Sequence, residues 1–579
     1  MNALDKYNEW LVSPYIDEQT KAELRSISGD EKEIDERFYK DLEFGTAGLR
    51  GVLGAGANRM NIYTVGAATQ GLANYILQKH PEAGKGTLSA VIAHDSRRMS
   101  PEFALRTALI FCANGIKAYL FESLRPTPEL SFAVRHLKCS AGVVVTASHN
   151  PPEYNGYKAY WSDGGQIPYP MDEEIIKEVE KITSFNEVKT MERAAAEAAG
   201  LLVMVGKDVD DEFIKNVKSQ SVNPDAIQKT QGGLKIVYTP LHGAGNIPVR
   251  RVLKEVGFTD VAVVPEQEAP DADFTTVEYP NPEDPKAFAL ALKLGKETGA
   301  DLLVATDPDS DRIGVVVKHD GEYRFLTGNM MGVLLCEYIL SQKKVSGSLP
   351  ANAAVISTIV STDLTKAIAK NYGVKYFEVL TGFKYIGEKI KKFEQTGSYK
   401  FVFGFEESYG YLAGTYARDK DAVVAAMLAC EMAAYYKTRG MTLWDGLNEI
   451  YAKYGYYKEA VRSVSLPGIE GLENMKRVMA ALRENPLSDI NGAPITERRD
   501  YLSKEIIGKT GKAKTDLPVS DVLYYAADDG SWLCVRPSGT EPKIKIYIGV
   551  KAGTDADAQK KIDGAAGFVT EMMNGYINK

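Results

Sequence analysis

Long apolar runs are missing from this chain. No stretch reaches the roughly 20 consecutive apolar residues of a membrane helix, so none is expected and no membrane partner is expected. Cysteine is scarce. The five present (Cys112, Cys139, Cys336, Cys430, Cys534) form no close pair, which fits buried thiols better than a disulfide framework or a zinc site. Such scattered thiols suit a reducing cytoplasm. A basic excess is missing too: 69 Lys and Arg stand against 77 Asp and Glu, for a net charge of −8. That balance argues against nucleic acid as the main partner, while leaving room for a local basic pocket that takes a phosphate. The N-terminus, MNALDKYNEWLVSPYIDEQ, has neither a basic start nor an apolar core, so no secretory signal is expected and the cytoplasm is the expected location.

Several catalytic signatures are also absent. None of the six histidines opens an HExxH pair. Gly508-Lys509-Thr510 has no glycine five residues earlier, so it is no Walker A loop. No glycine-rich dinucleotide fingerprint follows a strand. Ser148 is flanked by Thr146 and Asn150 where a nucleophile elbow would have glycines.

What is present is ordinary in bulk and specific in detail. With 579 residues, 44% hydrophobic and 25% charged, the chain is a globular protein too long for one core. Roughly three to five domains are expected. The stretch AGVVVTASHNPPEYNGYKAY, 141–160, begins as a buried strand and stops at a serine followed by two prolines. Ser148 is thus expected at a strand's mouth on a stiffened loop. A serine there can be a nucleophile if helped, and His149 and Lys158 are the nearest groups able to help. It can also simply make a turn. Upstream, DLEFGTAGLRG offers Gly45, Gly48 and Gly51 in a loop suited to close approach by a ligand, with Arg50 as a phosphate binder or a surface arginine.

A pattern then recurs three times, over 91–121, 234–265 and 354–380: strand, polar loop, helix, glycine stop, strand. Each has the length of one βαβ unit with a right-handed crossover. Each is followed by another strand ending in a polar loop: VVVT-ASHN, DLLVAT-DPDSDR and FVFG-FEES. Ligands gather at such carboxyl ends, so three facing ends would make one cleft. The expected fold is three similar mixed-sheet α/β domains, 1–205, 206–325 and 326–455, followed by a smaller α+β domain, 456–579, with the active site in the central cleft. Residues 1 to about 40 read as a helical arm.

The loops carry the chemistry. In Asp307-Pro308-Asp309-Ser310-Asp311-Arg312, an extended backbone would put three carboxylates on one side. Three close anions repel unless a cation sits among them, and Mg²⁺ is the usual hard ion where phosphates are handled. An EF-hand fails, since Arg312 stands at its glycine position and Lys318 at its glutamate. A solvated acidic turn is the plain alternative. Glu406 and Ser408, in GFEESYGY, set a carboxylate and a hydroxyl two residues apart after the third such strand. Arg536-Pro537-Ser538-Gly539-Thr540 combines a guanidinium, hydroxyls and free backbone N–H groups, the makings of an anion nest.

These segments resemble the α-D-phosphohexomutases, the family that holds phosphoglucomutase and phosphomannomutase. TASHNPPEYNGYK looks like the family's active-site serine loop, DPDSDR its metal loop, GFEES its sugar-binding loop and RPSGTEP its phosphate-binding loop, in the family's order across nearly the whole chain. Thr381, Gly382 and Lys384 of TGFK resemble its short substrate-approaching loop. Several relatives carry a histidine two positions after the sugar-loop serine. Here that position is Gly410, which tilts the resemblance toward the glucomutase branch and makes Lys420, in ARDKD, the candidate base. A salt-bridge cluster at a helix start is the alternative for ARDKD.

The resemblance implies an isomerase that interconverts glucose 1-phosphate and glucose 6-phosphate. Ser148 would carry the phosphoryl group, completing a Mg²⁺ site with Asp307, Asp309 and Asp311. Arg50, His149, Lys158 and Lys420 would act on the transfer. Arg312, Thr381, Gly382, Lys384, Glu406 and Ser408 would bind substrate, and Arg536, Ser538, Gly539 and Thr540 the second phosphate. Glucose 1,6-bisphosphate would be both intermediate and primer, and the expected assembly is a monomer or homodimer. Mannose or pentose phosphates are rival substrates. A phosphatase and a non-catalytic sugar-phosphate binder are rival functions.

Overall fold

The computed structural model describes residues 2–45, 48–230, 233–465, 469–538 and 543–577. The N-terminal arm is helical, as expected: Ala3–Val12, Glu18–Ser26 and Glu31–Phe38. Each starts behind a side-chain cap, Asn2, Asp17 or Asp30, that satisfies an otherwise unpaired helix N–H. Their apolar faces meet through Tyr7, Trp10, Leu24, Ile34 and Phe38.

The first sheet contains β1 (Gly48–Val52), β2 (Ser89–His94), β3 (Lys117–Phe121), β4 (Ala141–Val145), β5 (Tyr154–Trp161) and β6 (Leu202–Val205), in the order β1-β5-β4-β2-β3-β6. β4, β2, β3 and β6 run parallel, and β5 and β1 are added antiparallel. β4 is buried along its whole length because layers cover both its faces, so its sequence is a continuous apolar run rather than an alternation. The second sheet repeats this plan with β7 (Ile236–Thr239), β8 (Val261–Val263), β9 (Leu302–Thr306), β10 (Ile313–His319) and β11 (Glu322–Leu326), ordered β11-β10-β9-β7-β8. Its core gathers Val237, Leu303, Ala305 and Phe288.

The three expected βαβ units are present. β2 and β3 pair in parallel around the helix Ser100–Ala113, and β7 and β8 around Asn246–Val256. The third pair, β12 (Ala353–Thr358) and β13 (Lys375–Val379), flanks Leu364–Tyr372. Gly257 and Gly373 end their helices at φ 113° and 69°, where any Cβ would be strained. The antiparallel pair β14 (Lys400–Glu406) and β15 (Gly410–Ala413) follows, then the buried helix Ala422–Thr438.

Among the described residues, the C-terminal segment has no fourth unit of this kind. β16 (Tyr456–Ser465), β17 (Asp489–Ile490), β18 (Ala493–Asp500), β19 (Glu505–Gly508), β20 (Gly511–Lys514), β21 (Leu523–Ala527), β22 (Trp532–Pro537) and β23 (Lys543–Ala552) pair antiparallel throughout. The helix Asp555–Ile577 contributes Ile562, Val569 and Met573 to the core beside this sheet.

By contacts, the chain forms two compact units: Met1–Met331 with Phe383–Leu443, and Gly332–Gly382 with Trp444–Lys579. All five cysteines are buried. Among the described residues, no helix is long and apolar enough to cross a membrane.

Candidate active site

The first unit brings the serine loop and the acidic loop together. β4 ends at Val145, and Thr146 turns the chain: its hydroxyl accepts the Ser148 N–H at 2.8 Å and donates to Asp95 Oδ2 at 2.6 Å. Ser148 is 3% exposed and sits at φ 54°, a left-handed conformation that costs a non-glycine residue about 1–3 kcal/mol and persists only where neighbours enforce it. Its Oγ donates to Asp307 Oδ2 at 2.8 Å and lies 3.3 Å from His149 Nδ1. Burial, helped by the Arg312 and Arg50 charges, pushes His149 well below the usual imidazole range, so a neutral ring stands beside the hydroxyl.

β1 and β5 bring two more groups. Lys158 lies on β5, opposite Val144 of β4 and Gly48 of β1, and Arg50 lies opposite Gly156. Arg50 Nη1 approaches Asn150 Oδ1 at 3.4 Å. A Cβ on Gly48 would lie 1.7 Å from the Tyr157 carbonyl oxygen. That glycine is therefore required for strand-to-strand contact, whereas the sequence reading gave it to ligand approach.

The acidic loop is not extended. Ser310 N–H donates back to the Asp307 carbonyl at 2.9 Å and Ser310 has φ 52°, so the loop is a tight turn. The carboxylates converge nonetheless: one ligand atom from each of Asp307, Asp309 and Asp311 lies within 4.8 Å of the others, and all three residues are buried. The convergence comes from the turn closing on Asp307 Oδ1, which accepts the N–H of Asp311 at 3.0 Å and of Arg312 at 2.9 Å. Lys158 Nζ reaches Asp309 Oδ2 at 2.7 Å and Asp311 Oδ2 at 3.2 Å, and Lys420 Nζ reaches Asp311 Oδ2 at 3.2 Å. Oδ1 of Asp309 and Oδ1 of Asp311 are buried without a hydrogen-bond partner. Two orphaned carboxylate oxygens, beside an Asp307–serine pair, fit a hard cation with oxygen ligands.

The charges agree with that fit. Burial and the neighbouring Asp309 and Asp311 charges push Asp307 well above the usual carboxylate range. Burial opposes ionisation of Asp311 too, but Lys158, Lys420 and Arg312 reverse it and hold that carboxyl far below its usual range. Burial works against the charge of Lys420, yet Asp311, Asp419 and Glu406 hold it well above the usual ammonium range. A divalent ion would balance the trio and release the lysines toward other anions.

The remaining sequence-predicted residues divide. Arg312 Nη1 pairs with Glu283. Glu406 ends β14 opposite Gly410, and Ser408 lies in the turn between them. That turn joins the acidic loop, since Ile313 N–H donates to the Tyr409 carbonyl at 3.1 Å. In ARDKD both readings are realised: Asp421 caps the helix Ala422–Thr438 through the Val423 and Val424 N–H groups, and Lys420 meets the acidic trio. Lys384 Nζ stands 3.9 Å from Asp172 Oδ2. Thr381 and Gly382 belong to the second unit, as do Arg536, opposite Lys545 on the β22–β23 hairpin, and Ser538, whose N–H donates to the Lys543 carbonyl at 2.7 Å. Gly539 and Thr540 lie outside the described residues.

Sequence reasoning missed Thr127. At the start of the helix Thr127–His136, its N–H donates to the Asp309 carbonyl at 2.8 Å and its hydroxyl to Asp309 Oδ2 at 2.7 Å. Together with Lys158 it occupies Oδ2 and leaves Oδ1 clear. The only signal is Pro126-Thr127-Pro128, which marks a helix start and nothing more.

Comparison with known proteins agrees along nearly the whole chain. Four family models match in order: phosphoglucomutase/phosphomannomutase alpha/beta/alpha domain I over 41–186, domain II over 211–321, domain III over 327–454 and the C-terminal domain over 477–562. A phosphoglucomutase of Staphylococcus aureus (strain MRSA252) is 35% identical over 563 residues, 97% of each chain. Two crystal structures share the fold. One is a putative phosphomannomutase from Thermus thermophilus, with TM-score 0.65, 23% identity, and 92% of this chain and 99% of that one covered. The other is pp63/parafusin from Paramecium, with TM-score 0.68, 16% identity, and 93% and 96% covered. With three alpha/beta/alpha domains of mixed sheets, a C-terminal antiparallel-sheet domain, and a serine set against three converging aspartates, this chain belongs to the α-D-phosphohexomutase family.

Proposed function

We propose that the protein is a phosphoglucomutase that interconverts glucose 1-phosphate and glucose 6-phosphate through a phosphorylated Ser148. The observation that carries this reading is the 2.8 Å contact between Ser148 Oγ and Asp307 Oδ2, beside two buried carboxylate oxygens that accept no hydrogen bond. The 35% identity to phosphoglucomutases supports glucose as the sugar.

Asp307, Asp309 and Asp311, with an oxygen on Ser148, would hold Mg²⁺, which supplies charge neutralisation of the phosphoryl oxygens. Glu406 and Ser408 clasp ring hydroxyls, with Arg312 and Lys384 also on the sugar; the substrate role of Thr381 and Gly382 rests on their sequence alone. The phosphate that is not transferred falls to Arg536, Ser538, Gly539 and Thr540, a role that rests on the loop's sequence alone. The phosphoryl group leaves Ser148: its Oγ–P bond breaks, an O6–P bond forms, and the 6-hydroxyl proton passes toward Lys420. Arg50, His149 and Lys158 steady the group in transit. Because His149 is neutral, it accepts or donates a hydrogen bond without adding charge. The glucose 1,6-bisphosphate then turns over. The O1–P bond breaks as Ser148 Oγ takes the phosphoryl group, O1 takes the proton back, and glucose 6-phosphate leaves. Lys420 acts as a base only once the Asp311 charge is balanced, because that charge otherwise keeps the ammonium protonated. An unphosphorylated Ser148 is primed by glucose 1,6-bisphosphate. We take 1–205, 206–325, 326–455 and 456–579 as the working domains, and the cytoplasm as the setting.

The test is a glucose 6-phosphate dehydrogenase-coupled assay with Mg²⁺ and trace glucose 1,6-bisphosphate. The kcat/KM values for glucose 1-phosphate, mannose 1-phosphate and ribose 1-phosphate are compared, the last two with their own coupled detection. A higher value for mannose or ribose would replace glucose as the substrate. Inorganic phosphate released as fast as substrate disappears would make the protein a phosphatase.

A further inference from the structure

One guanidinium binds the loop that carries Ser148. Arg97, between β2 and the helix Ser100–Ala113, is 1% exposed. Its Nη2 donates to the Ser148 carbonyl at 2.7 Å and to the Asn150 carbonyl. Its Nη1 donates to the carbonyls of Pro151 at 2.8 Å and Tyr154 at 3.1 Å. On the far side, Asp95 Oδ2 pairs with Arg97 Nε at 3.2 Å, and Asp95 Oδ1 accepts the Arg97 N–H at 2.9 Å. The ring of Phe274 lies 4.9 Å from the guanidinium carbon. The same Asp95 accepts the Thr146 hydroxyl, which in turn accepts the Ser148 N–H.

Two physical consequences follow. The left-handed φ of Ser148 is unfavourable, and two prolines stiffen the residues after it without selecting that conformation at 148. Four carbonyls bound to one planar fork restrict the path of the loop and so hold Ser148 in that conformation. Each carbonyl oxygen so bound also has its negative end offset by the guanidinium charge, which lessens its opposition to an anion carried nearby. Lysine cannot substitute. Its compact ammonium has three donors and no planar fork.

We propose that Arg97, held in place by Asp95, is a positioning residue that fixes Ser148 Oγ against Asp307 by binding four carbonyl oxygens of the serine loop. The proposal rests on the reading of Ser148 as the phosphoryl carrier. It assigns a role to the Asp-Ser-Arg loop of the first βαβ unit, which otherwise has only a connecting one.

The experiment compares wild type, Arg97→Lys and Asp95→Asn at a temperature where each gives the wild-type circular dichroism spectrum. A displaced Oγ predicts that kcat falls about a hundredfold in Arg97→Lys. KM for glucose 1-phosphate should move by less than about threefold, since the contacts common to ground state and transition state stay in place. A purely structural role predicts the opposite pattern: a lower Tm with the wild-type kcat per folded molecule, and that result overturns the proposal. If Arg97→Lys does not fold, Asp95→Asn is judged by the same two outcomes. If the wild type shows neither mutase nor phosphatase turnover, the functional reading fails, and amide hydrogen exchange over 146–154 decides for the clamp. Exchange at least about tenfold faster in the folded variant supports it, and unchanged exchange overturns it.

Discussion

Lys420 passes across the face of Gly410, where a Cβ would lie 2.1 Å from its Cδ and 2.7 Å from its Cγ. The two residues are therefore one feature of the site: the absent side chain is the space through which the lysine reaches Asp311. Gly410→Ala should displace Lys420 while leaving the β14–β15 pair intact. The expected result is a fall in kcat of about 10- to 100-fold, the low range for a misplaced proton-transfer group. Lys420→Ala should lose at least as much, and the double variant should lose little more than Lys420→Ala alone. Steady-state kinetics of the three variants checks this. Additive losses would separate the two residues.

Thr127 should govern the cation rather than the sugar. Its hydroxyl holds Asp309 Oδ2 at 2.7 Å, so Thr127→Val, nearly equal in shape, leaves that oxygen to Lys158 alone and loosens the carboxylate's orientation. Mg²⁺ affinity should weaken about 10- to 100-fold, the usual loss when the partner of a metal ligand is removed. Thr127→Ser should restore it. The measurement is the Mg²⁺ concentration dependence of Tm, which needs no turnover, alongside that of activity. An unchanged Mg²⁺ midpoint in the valine variant would contradict the assignment.

Ser148 combines reactivity with backbone strain, and the two separate by substitution. Ser148→Ala should lose turnover by on the order of 10⁴-fold or more, as expected for removal of a covalent carrier. Ser148→Gly should lose the same turnover but be more stable than Ser148→Ala by about 1 kcal/mol, because glycine adopts φ 54° without a Cβ penalty. Thermal melts of the two inactive variants give the comparison. Equal Tm values would mean that the loop relaxes when the hydroxyl is gone.

The cap of the helix Ala422–Thr438 makes stability depend on pH. Burial raises the Asp421 carboxyl from an ordinary 3.8 to about 6, although hydrogen bonds from Tyr416 and from the Val423 and Val424 N–H groups act the other way. Between those two values the folded chain holds a proton that the unfolded chain has released, so stability falls as pH rises through that window. A window of about two pH units corresponds to about 3 kcal/mol. Asp421→Asn keeps a good capping residue and removes the charge. It should gain Tm relative to wild type at pH 8 and lose that advantage near pH 4. Melts at the two pH values decide, and a constant difference would remove Asp421 as the cause.

The legible part of the site lay in short segments. Ser148, His149 and Lys158 stand within eleven residues, and Asp307, Asp309 and Asp311 within five. Local chemistry therefore names them. The reason given for the trio's convergence, an extended backbone, was replaced by a turn, because Asp307 takes the N–H groups of Asp311 and Arg312 and bends the loop around itself. The three βαβ units were legible for a related reason: a strand, a helix and a glycine stop are each written in consecutive residues, and the connection between parallel strands permits little else.

Arg97 and Thr127 were not legible as working parts, and of Lys420 and Gly410 only the packing of one across the other was hidden. Arg97 acts on carbonyls 51 to 57 residues away, and Thr127 on a carboxylate 182 residues away. The sequence by itself determined the elements, the reactive side chains and the family, because those follow from neighbours in the chain. Only the tertiary structure decided which oxygen of each aspartate is occupied, which backbone carbonyls one guanidinium gathers, and which missing side chain admits a lysine. Hydrogen bonds and steric exclusion act over a few ångströms, and the groups they join meet only when distant segments have packed.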